Sequence, residues 1–196
     1  MSSVPSHMTA VLLTGHGGFD ALLASSEIPV PEVGDREVLI RVRAAGINNT
    51  DINTRTGWYS KGSSDTDDGT WNGAPLTLPR IQGADVCGEI VAVGRDVSTE
   101  RIGQRVIIEP VLREVAGETL ERAHYFGSEC DGGFAQFTKV ASVHAHHINS
   151  KLSDEELASF PCSYSTAENM LTRAGLSRGE TVLITGASGG VGSAAI

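Results

Sequence analysis

The sequence has few basic residues, few aromatic residues and no long apolar run. Of its 196 residues, 15 are Lys or Arg and 24 are Asp or Glu, which gives a formal net charge of −9. This balance excludes the basic surface that nucleic-acid binding requires.

No apolar run approaches the ~18 residues of a membrane-spanning helix. The content of 40% apolar and 20% charged residues is typical of a globular chain. We therefore expect neither a nucleic-acid nor a membrane partner.

Cysteine is also scarce, since the chain contains only Cys87, Cys130 and Cys162. The N-terminus lacks the basic and apolar regions of a secretory signal, so we expect reduced thiols and a cytoplasmic location. The Ser-His-Met stretch at residues 6–8 has the form of an expression-tag remnant, although a native leader would read the same way. We set residues 1–8 aside from the fold as a leader or tag remnant.

Most of the chain consists of short apolar or alternating segments separated by glycine-rich turns. This pattern predicts short strands in an irregular β-barrel. The predicted strands are residues 9–14, 37–45, 88–93, 104–109 and 134–140. Residues 60–79 are rich in Gly, Asp, Ser and Thr, with Trp58 and Trp71 near the ends of the segment, and predict a long loop of the kind that often flanks a site.

The pattern changes at Ser153, where helices are predicted. Ser153 and Glu156 have the spacing of a capping box, which predicts a helix start, and a second helix is predicted over about 164–174. Residues 180–185 are nearly all apolar and predict a buried strand of the parallel-sheet type. This strand leads directly into Gly-Ala-Ser-Gly-Gly-Val-Gly at residues 186–192.

The glycine-rich segment has the spacing of a dinucleotide-binding fingerprint. Ala187, Gly189 and Gly192 follow the A-x-G-x-x-G pattern, in which small residues permit a tight turn and close approach to pyrophosphate. The strand before it and the helix start after it favour this interpretation over an ordinary glycine-rich turn. The residues expected to bind the cofactor are Ala187, Ser188, Gly189, Gly190, Val191 and Gly192.

Taken in order, these segments resemble the medium-chain dehydrogenase/reductase superfamily, and most closely its zinc-independent quinone oxidoreductase branch. The motifs that carry the resemblance are Ala-Ala-Gly-Ile-Asn-Asn-Thr-Asp at 44–51, Arg-x-Gly-x-Tyr at 55–59, Gly-Ala-Asp-Val-Cys-Gly at 83–88, Asp-Gly-Gly-Phe-Ala at 131–135 and the segment 186–192. The resemblance implies a mainly β fold with flanking helices. It divides the chain into a GroES-like barrel at 9–152, a helical connector at 153–179 and the incomplete start of a Rossmann domain at 180–196.

The same resemblance implies an NADP cofactor, a small-molecule substrate and a homodimer of the full-length protein. NAD remains possible, because the residue that would discriminate the two falls about 20 residues past the fingerprint. Only four residues follow Gly192. We therefore expect the 196-residue chain to be a fragment that is inactive alone, with an exposed apolar strand at 182–184.

Catalytic zinc is not expected. In zinc-bearing relatives a cysteine precedes the Asp of the first motif by three residues, and a histidine follows the Gly of the third motif. Here these positions are Asn48 and Ala84, and only Cys162 keeps the third ligand type. One soft ligand cannot hold catalytic zinc. We expect Cys162 to be a buried, metal-free thiol, the alternatives being a redox-sensitive thiol or another metal arrangement.

His144, His146 and His147 form the other candidate metal cluster. Alternate residues of a strand share a face, which could bring His144 and His146 together. No nearby cysteine or third spaced ligand supports such a site, and the favoured interpretation is a polar loop before the Ser153 helix.

The resemblance places Asn48 and Tyr59 in the substrate and nicotinamide cleft, Thr50 at a proton-relay position and Thr166 near the nicotinamide. Structural alternatives exist for Asn48, Tyr59 and Thr166, and for two further residues of the motif. Asn48 could fix a turn, the ring of Tyr59 could be buried, and the Thr166 hydroxyl could bond back within its helix. Asp51 and Arg55 could form a helical ion pair. Asn53 replaces a tyrosine that is often present in this motif.

These observations favour an NAD(P)H-dependent oxidoreductase that transfers hydride to a quinone or to an activated alkene or carbonyl compound, without zinc. One alternative is an alcohol dehydrogenase-like enzyme with an altered site. The other is a non-catalytic nucleotide-binding protein of the same fold.

Overall fold

A computed structural model describes residues 4–59 and 76–196 of the protein. The strands of these residues are β1 His7–Leu13, β2 Leu22–Pro29, β3 Glu37–Gly46, β4 Arg80–Ile81, β5 Asp85–Val93, β6 Arg105–Ile108, β7 Val111–Val115, β8 Glu118–Tyr125, β9 Phe137–Ala141 and β10 Ala145–His147. The helices are α1 Asn49–Arg55, α2 Asp154–Leu157, α3 Pro161–Arg173 and α4 Gly190–Ala194. Within the described residues, no helix is long and apolar enough to cross a membrane.

The strands form three antiparallel sheets. The largest has the order β10-β6-β5-β3-β9, the second is β2-β1-β4, and β7 pairs with β8 alone. A backbone bridge between Ala10 and Ala135 links the first two sheets, and the Val11 N–H donates to the Phe134 carbonyl at 2.8 Å. The predicted mainly β fold, with helices after Ser153, is confirmed.

The first half of β3 is buried on both of its faces. Val38 and Ile40 pack into one core together with Ile90 of β5. Leu39 points to the opposite face, where it joins a second core with Met8. Successive strand residues point to opposite faces, so one strand supplies both cores.

Each of the five predicted strands corresponds to an observed one, with ends that differ by at most three residues. The N-terminal boundary is wrong, because β1 begins at His7 and Met8 is only 4% exposed. The apolar side chain of Met8 is therefore part of the core rather than of a leader. The predicted loop at 60–79 lies outside the described residues over 60–75, as does Trp71.

The hairpin of β7 and β8 was missed. Ala116 and Gly117 form its two-residue turn with φ angles of 51° and 87°, and Val115 pairs with Glu118. Positive φ at both positions is typical of a type I′ turn. Both strands carry charged residues, and β8 contains no buried residue, so neither shows the apolar alternation that predicts strands.

The capping box at Ser153 is confirmed. The Ser153 N–H donates to Glu156 Oε2 at 2.7 Å, and the Glu156 N–H donates to Ser153 Oγ at 3.2 Å. The next helix, α3, begins three residues earlier than predicted because Pro161 occupies its first turn, where a missing N–H costs nothing.

The predicted buried strand at 180–185 is wrong for the described chain. These residues form no strand among the described residues, and Leu183 is 88% exposed. A parallel strand needs neighbours on both sides, and no described strand pairs with this segment. The expectation that apolar side chains at 182–184 would be exposed is confirmed for Val182 and Leu183, while Ile184 is half-buried.

Candidate active site

The segment after β3 builds the first wall of the site. Asn48 has an extended backbone and begins α1, and its N–H donates to Asp51 Oδ2 at 2.9 Å. Asp51 Oδ1 accepts from the Gly83 N–H at 3.1 Å, which attaches α1 to the segment before β5. Asn48 therefore does fix a turn, as the structural alternative proposed, and its side chain remains available for other contacts.

The alternative of an Asp51–Arg55 ion pair is wrong, since it is not among the ion pairs of the described chain. The guanidinium of Arg55 instead donates to the Gly17 carbonyl at 2.7 Å and lies 4.9 Å from the ring centre of Phe19. Arg55 therefore ties the end of α1 to the turn after β1 and contacts none of Asn48, Thr50 and Tyr59.

Asp85, at the start of β5, joins two parts of the site. Its Oδ2 accepts from Asn48 Nδ2 at 3.0 Å, and its Oδ1 accepts from the Cys162 N–H in the first turn of α3 at 2.7 Å. Gly46 permits this close approach, because a Cβ there would lie 2.5 Å from the Ala158 carbonyl oxygen. The sequence analysis included Asp85 in the motif at 83–88 but assigned it no role; the available signal was a lone carboxylate opening an otherwise apolar strand.

Burial dominates the electrostatics of this cluster. Asp85 is 2% exposed, and desolvation raises its pKa to about 6 against the opposing effect of its two N–H donors, with the nearby Asp51 charge adding to the rise. Burial likewise raises the pKa of Asp51, while the N–H groups of Asn48 and Gly83 lower it. The site thus holds two carboxyl groups in a water-poor environment that disfavours charge.

Cys162 is half-buried rather than buried, which corrects the prediction. Burial, followed by the charges of Asp85 and Asp51, raises the pKa of its thiol to about 11. A thiol with this pKa is protonated at neutral pH and is a poor nucleophile. Among the described residues, no three His, Cys, Asp or Glu side chains are placed to hold a metal ion. The Asn48 amide donates to Asp85, so this side chain is already engaged in a contact within the protein.

Tyr59 makes a second group of polar contacts, with two side chains of α1. Its hydroxyl accepts from Asn53 Nδ2 at 3.3 Å and donates to Thr50 Oγ1 at 3.4 Å. The ring is half-buried and packs edge-on against Trp58, with 5.3 Å between ring centres. The structure thus brings together Thr50 and Tyr59, and shows that Asn53 occupies the position between them.

The fingerprint segment packs against α3. Gly186 has a φ of +66°, which makes it the turn residue, and Gly189 precedes the first residue of α4. A Cβ on Gly192 would lie 2.3 Å from the Gly186 carbonyl oxygen, and one on Gly190 would lie 2.5 Å from Ser163 Oγ. Glycine is therefore required at 192 by the protein itself. A Cβ on Gly189 would approach no closer than 3.4 Å to its neighbours.

Thr166 lies on α3, one turn beyond Cys162, and is half-buried. Its hydroxyl makes no hydrogen bond within the described residues, so the alternative of a bond back within its helix is not observed. Side chains four residues apart share one helix face, which places Thr166 on the face of Cys162. α3 therefore connects the Asp85 cluster with the fingerprint segment.

The histidine cluster is structural. His144 is 3% exposed, its Nδ1 lies 3.0 Å from Glu109 Oε2, and its Nε2 accepts the N–H groups of Arg113 and Glu114, each at 3.0 Å. The expected polar loop is therefore wrong, because the segment forms a buried turn followed by β10. His146 does approach the same carboxylate at 3.5 Å, but both ring nitrogens of His144 are already engaged.

A cavity of about 420 Å³ lies elsewhere in the barrel, among Met8, Arg80, Cys130 and Lys139. Neither Asn48 nor Tyr59 lines it. The cavity therefore does not locate the candidate active site, which is identified by its polar contacts.

Comparison with known proteins gives a consistent result. Residues 34–150 match the alcohol dehydrogenase GroES-like domain. The chain is 33% identical over 189 residues to quinone oxidoreductase of Homo sapiens, covering 96% of this chain and 48% of that protein. It is 31% identical over 195 residues to the chloroplastic NADPH-dependent alkenal/one oxidoreductase of Arabidopsis thaliana, covering 100% of this chain and 45% of that protein.

Among solved structures, the chain is similar to a putative alcohol dehydrogenase from Sinorhizobium meliloti 1021. The identity is 48% and the TM-score 0.89, with 100% of this chain and 55% of that chain covered. The chain spans about half the length of the relatives it matches.

Proposed function

The chain belongs to the alcohol dehydrogenase GroES-like domain family of the medium-chain dehydrogenase/reductase superfamily, and we propose on this basis that it forms the substrate side of an NAD(P)H-dependent oxidoreductase. The proposed reaction transfers hydride to a quinone or to an activated alkene or carbonyl compound, without catalytic zinc. The observation that carries the proposal is the Asn48–Asp85 hydrogen bond, which stands where zinc-bearing relatives place a metal ligand.

A reduced nicotinamide would supply the hydride when bound. The chain's own contribution is to orient the acceptor and to stabilise the negative charge that develops on its oxygen. Tyr59 fits this task because Asn53 donates to its hydroxyl oxygen, which directs the hydroxyl proton outwards, towards Thr50 or an acceptor. Thr50 would pass a proton onwards, since a hydroxyl both accepts and donates.

Residues 187–192 would hold the cofactor phosphates with their backbone N–H groups, and Thr166 would face the nicotinamide from α3. The support for this assignment is the turn at Gly186 and the small residues that follow it. NADP is the proposed cofactor, with NAD as the alternative; the NADPH-dependent relative from Arabidopsis thaliana supports this order. A homodimer remains part of the proposal and is tested by light scattering of the full-length gene product.

The deciding experiment measures nicotinamide absorbance in the full-length gene product. Oxidation of NADPH on addition of a quinone or an enone supports the proposal. The similarity to a putative alcohol dehydrogenase favours a second candidate, oxidation of an alcohol by the oxidised cofactor. Turnover of alcohols alone would select that candidate, and binding of NADPH without oxidation of any of these compounds would indicate a nucleotide-binding protein.

A further inference from the structure

We propose that Asp85 is the positioning residue of this site, and that its carboxylate fixes the orientation of the Asn48 carboxamide and ties it to α3. The inference rests on the proposed function, because it assigns a role within the same site. Neither the family motif nor the matched relatives' names assign a role to Asp85.

The carboxylate of Asp85 is shared between two elements. One oxygen accepts from the Asn48 side chain at 3.0 Å, and the other accepts from the Cys162 N–H at 2.7 Å. Asn48 begins α1 and Cys162 lies in the first turn of α3, the helix that carries Thr166. The negative charge also interacts favourably with the N-terminal end of α3. Asp85 thus links the start of α1 to the first turn of α3.

The second buried carboxyl group of the site serves as a contrast. Asp51 is 7% exposed, and its two oxygens accept backbone N–H groups, from Asn48 and from Gly83. These contacts shape the chain but do not orient a side chain. Asp85 differs because one of its partners is the side chain proposed to face the substrate.

The chemistry of the contact dictates how Asn48 is oriented. An ionised carboxylate can only accept, so Asn48 must turn its NH₂ group towards Asp85 and its Oδ1 away. In an Asp85→Asn variant, the new Oδ1 must still accept the Cys162 N–H, which leaves the new NH₂ facing Asn48. The Asn48 carboxamide must then rotate to offer its own oxygen. The wild-type protein therefore presents Asn48 Oδ1 on the side away from residue 85, whereas the isosteric Asp85→Asn variant would present the Asn48 NH₂ group there.

The first test needs no activity and uses NMR of the side-chain amide of Asn48, which is identified by its loss in Asn48→Ala. We expect Asp85→Asn to shift both Nδ2 proton signals, because the carboxylate acceptor is lost. Asp35→Asn serves as the matched control, since Asp35 is exposed and pairs with Arg95 on the surface. Identical Asn48 signals in the wild-type protein and Asp85→Asn would overturn the proposal.

The second test is a double-variant cycle with the full-length gene product, NADPH and an enone. We expect Asp85→Asn to lower kcat about 10- to 100-fold with a smaller change in KM. In the Asn48→Ala background the same substitution should change kcat less than about threefold, because its effect passes through Asn48. Asp35→Asn should leave kcat unchanged.

An equal loss of kcat in both backgrounds would overturn the positioning role, since Asp85 would then act independently of Asn48. The failure of the proposed function is separate: a wild-type protein that does not oxidise NADPH in the presence of any quinone or enone tested would refute that function. The amide signals of Asn48 would still decide the role of Asp85.

Discussion

At the scale of single residues, the hydroxyl of Tyr59 has the contacts that bear most directly on the proposed chemistry. It accepts from Asn53 and donates to Thr50 over distances of 3.3 and 3.4 Å, which are long for hydrogen bonds and can be exchanged for a substrate oxygen. The half-buried ring also contacts Trp58. The hydroxyl and the ring therefore make separable contributions.

We expect Tyr59→Phe to lower turnover by about 10- to 100-fold, roughly 1.4 to 2.7 kcal/mol of barrier, because only the donor to the developing charge is lost. The ring remains, so the thermal midpoint should change little. Steady-state kinetics and a thermal melt of the full-length gene product provide the measurement. Tyr125→Phe, the same change on β8, is the control. A lower thermal midpoint with unaltered turnover would show that Tyr59 has only a packing role.

The pKa of Asp85 predicts a second residue-scale effect, on stability. Burial raises the pKa from its ordinary value of 3.8 to about 6, so the folded state holds this proton more tightly than the unfolded chain does. The associated stability is present below the unfolded-state pKa and is lost as the pH rises through the folded-state value. Between pH 4 and pH 7 the loss is on the order of 3 kcal/mol.

Asp85→Asn has no such proton, so its free energy of unfolding relative to the wild-type protein should rise between pH 4 and pH 7 and then level off. Urea unfolding at a series of pH values measures this difference, with Asp35→Asn as the exposed control. A difference that stays constant over this range would contradict the raised pKa of Asp85.

At the scale of elements, His144 holds the β7–β8 hairpin against the main sheet. Its Nε2 accepts two N–H groups of β7, from Arg113 and Glu114, and its Nδ1 lies next to Glu109. A ring that accepts at Nε2 is neutral, with its proton on Nδ1. His144→Ala leaves two N–H groups of β7 without this acceptor.

We therefore expect His144→Ala to cost about 1–3 kcal/mol of unfolding free energy and to speed amide exchange in β7. His146→Ala is the matched control, because the His146 side chain is 54% exposed. Its cost should stay within about 0.5 kcal/mol. Equal stability losses for the two substitutions would contradict this assignment.

Substitutions of two glycines in the fingerprint segment distinguish effects on folding from effects on cofactor binding. A Cβ on Gly189 meets nothing closer than 3.4 Å, whereas one on Gly192 collides with the Gly186 carbonyl. We expect Gly189→Ala to leave the thermal midpoint unchanged but to weaken NADPH binding, because the added methyl group would approach the phosphates. Gly192→Ala should lower both the thermal midpoint and the affinity for NADPH. Calorimetric titration of the full-length gene product checks the binding, and unaltered affinity in Gly189→Ala would argue against phosphates at this turn.

The sequence predicted strands correctly where burial of a strand gives an apolar pattern in the sequence. β3, β5 and β9 are buried and were found, whereas β2 and β8 are largely exposed, carry polar residues and were missed. The site residues that were predicted lie close together in the sequence, in the two neighbouring motifs at 44–51 and 55–59. Asp85 is brought to Asn48 only by the pairing of β3 with β5, which places it opposite Gly46. Local spacing cannot reveal such a contact.

At the scale of the whole molecule, metal content tests the site as one unit. The resemblance puts Asn48 and Cys162 at two of the zinc-ligand positions of zinc-bearing relatives, and both residues donate to the Asp85 carboxylate through N–H groups. Zinc binding would require breaking these hydrogen bonds and ionising the Cys162 thiol. We therefore expect elemental analysis of the full-length gene product to give far less than one zinc per chain. Its turnover should also resist chelators. Near-stoichiometric zinc that survives mild chelation, together with turnover abolished by a strong chelator, would show that the polar contacts around Asp85 open to admit the ion.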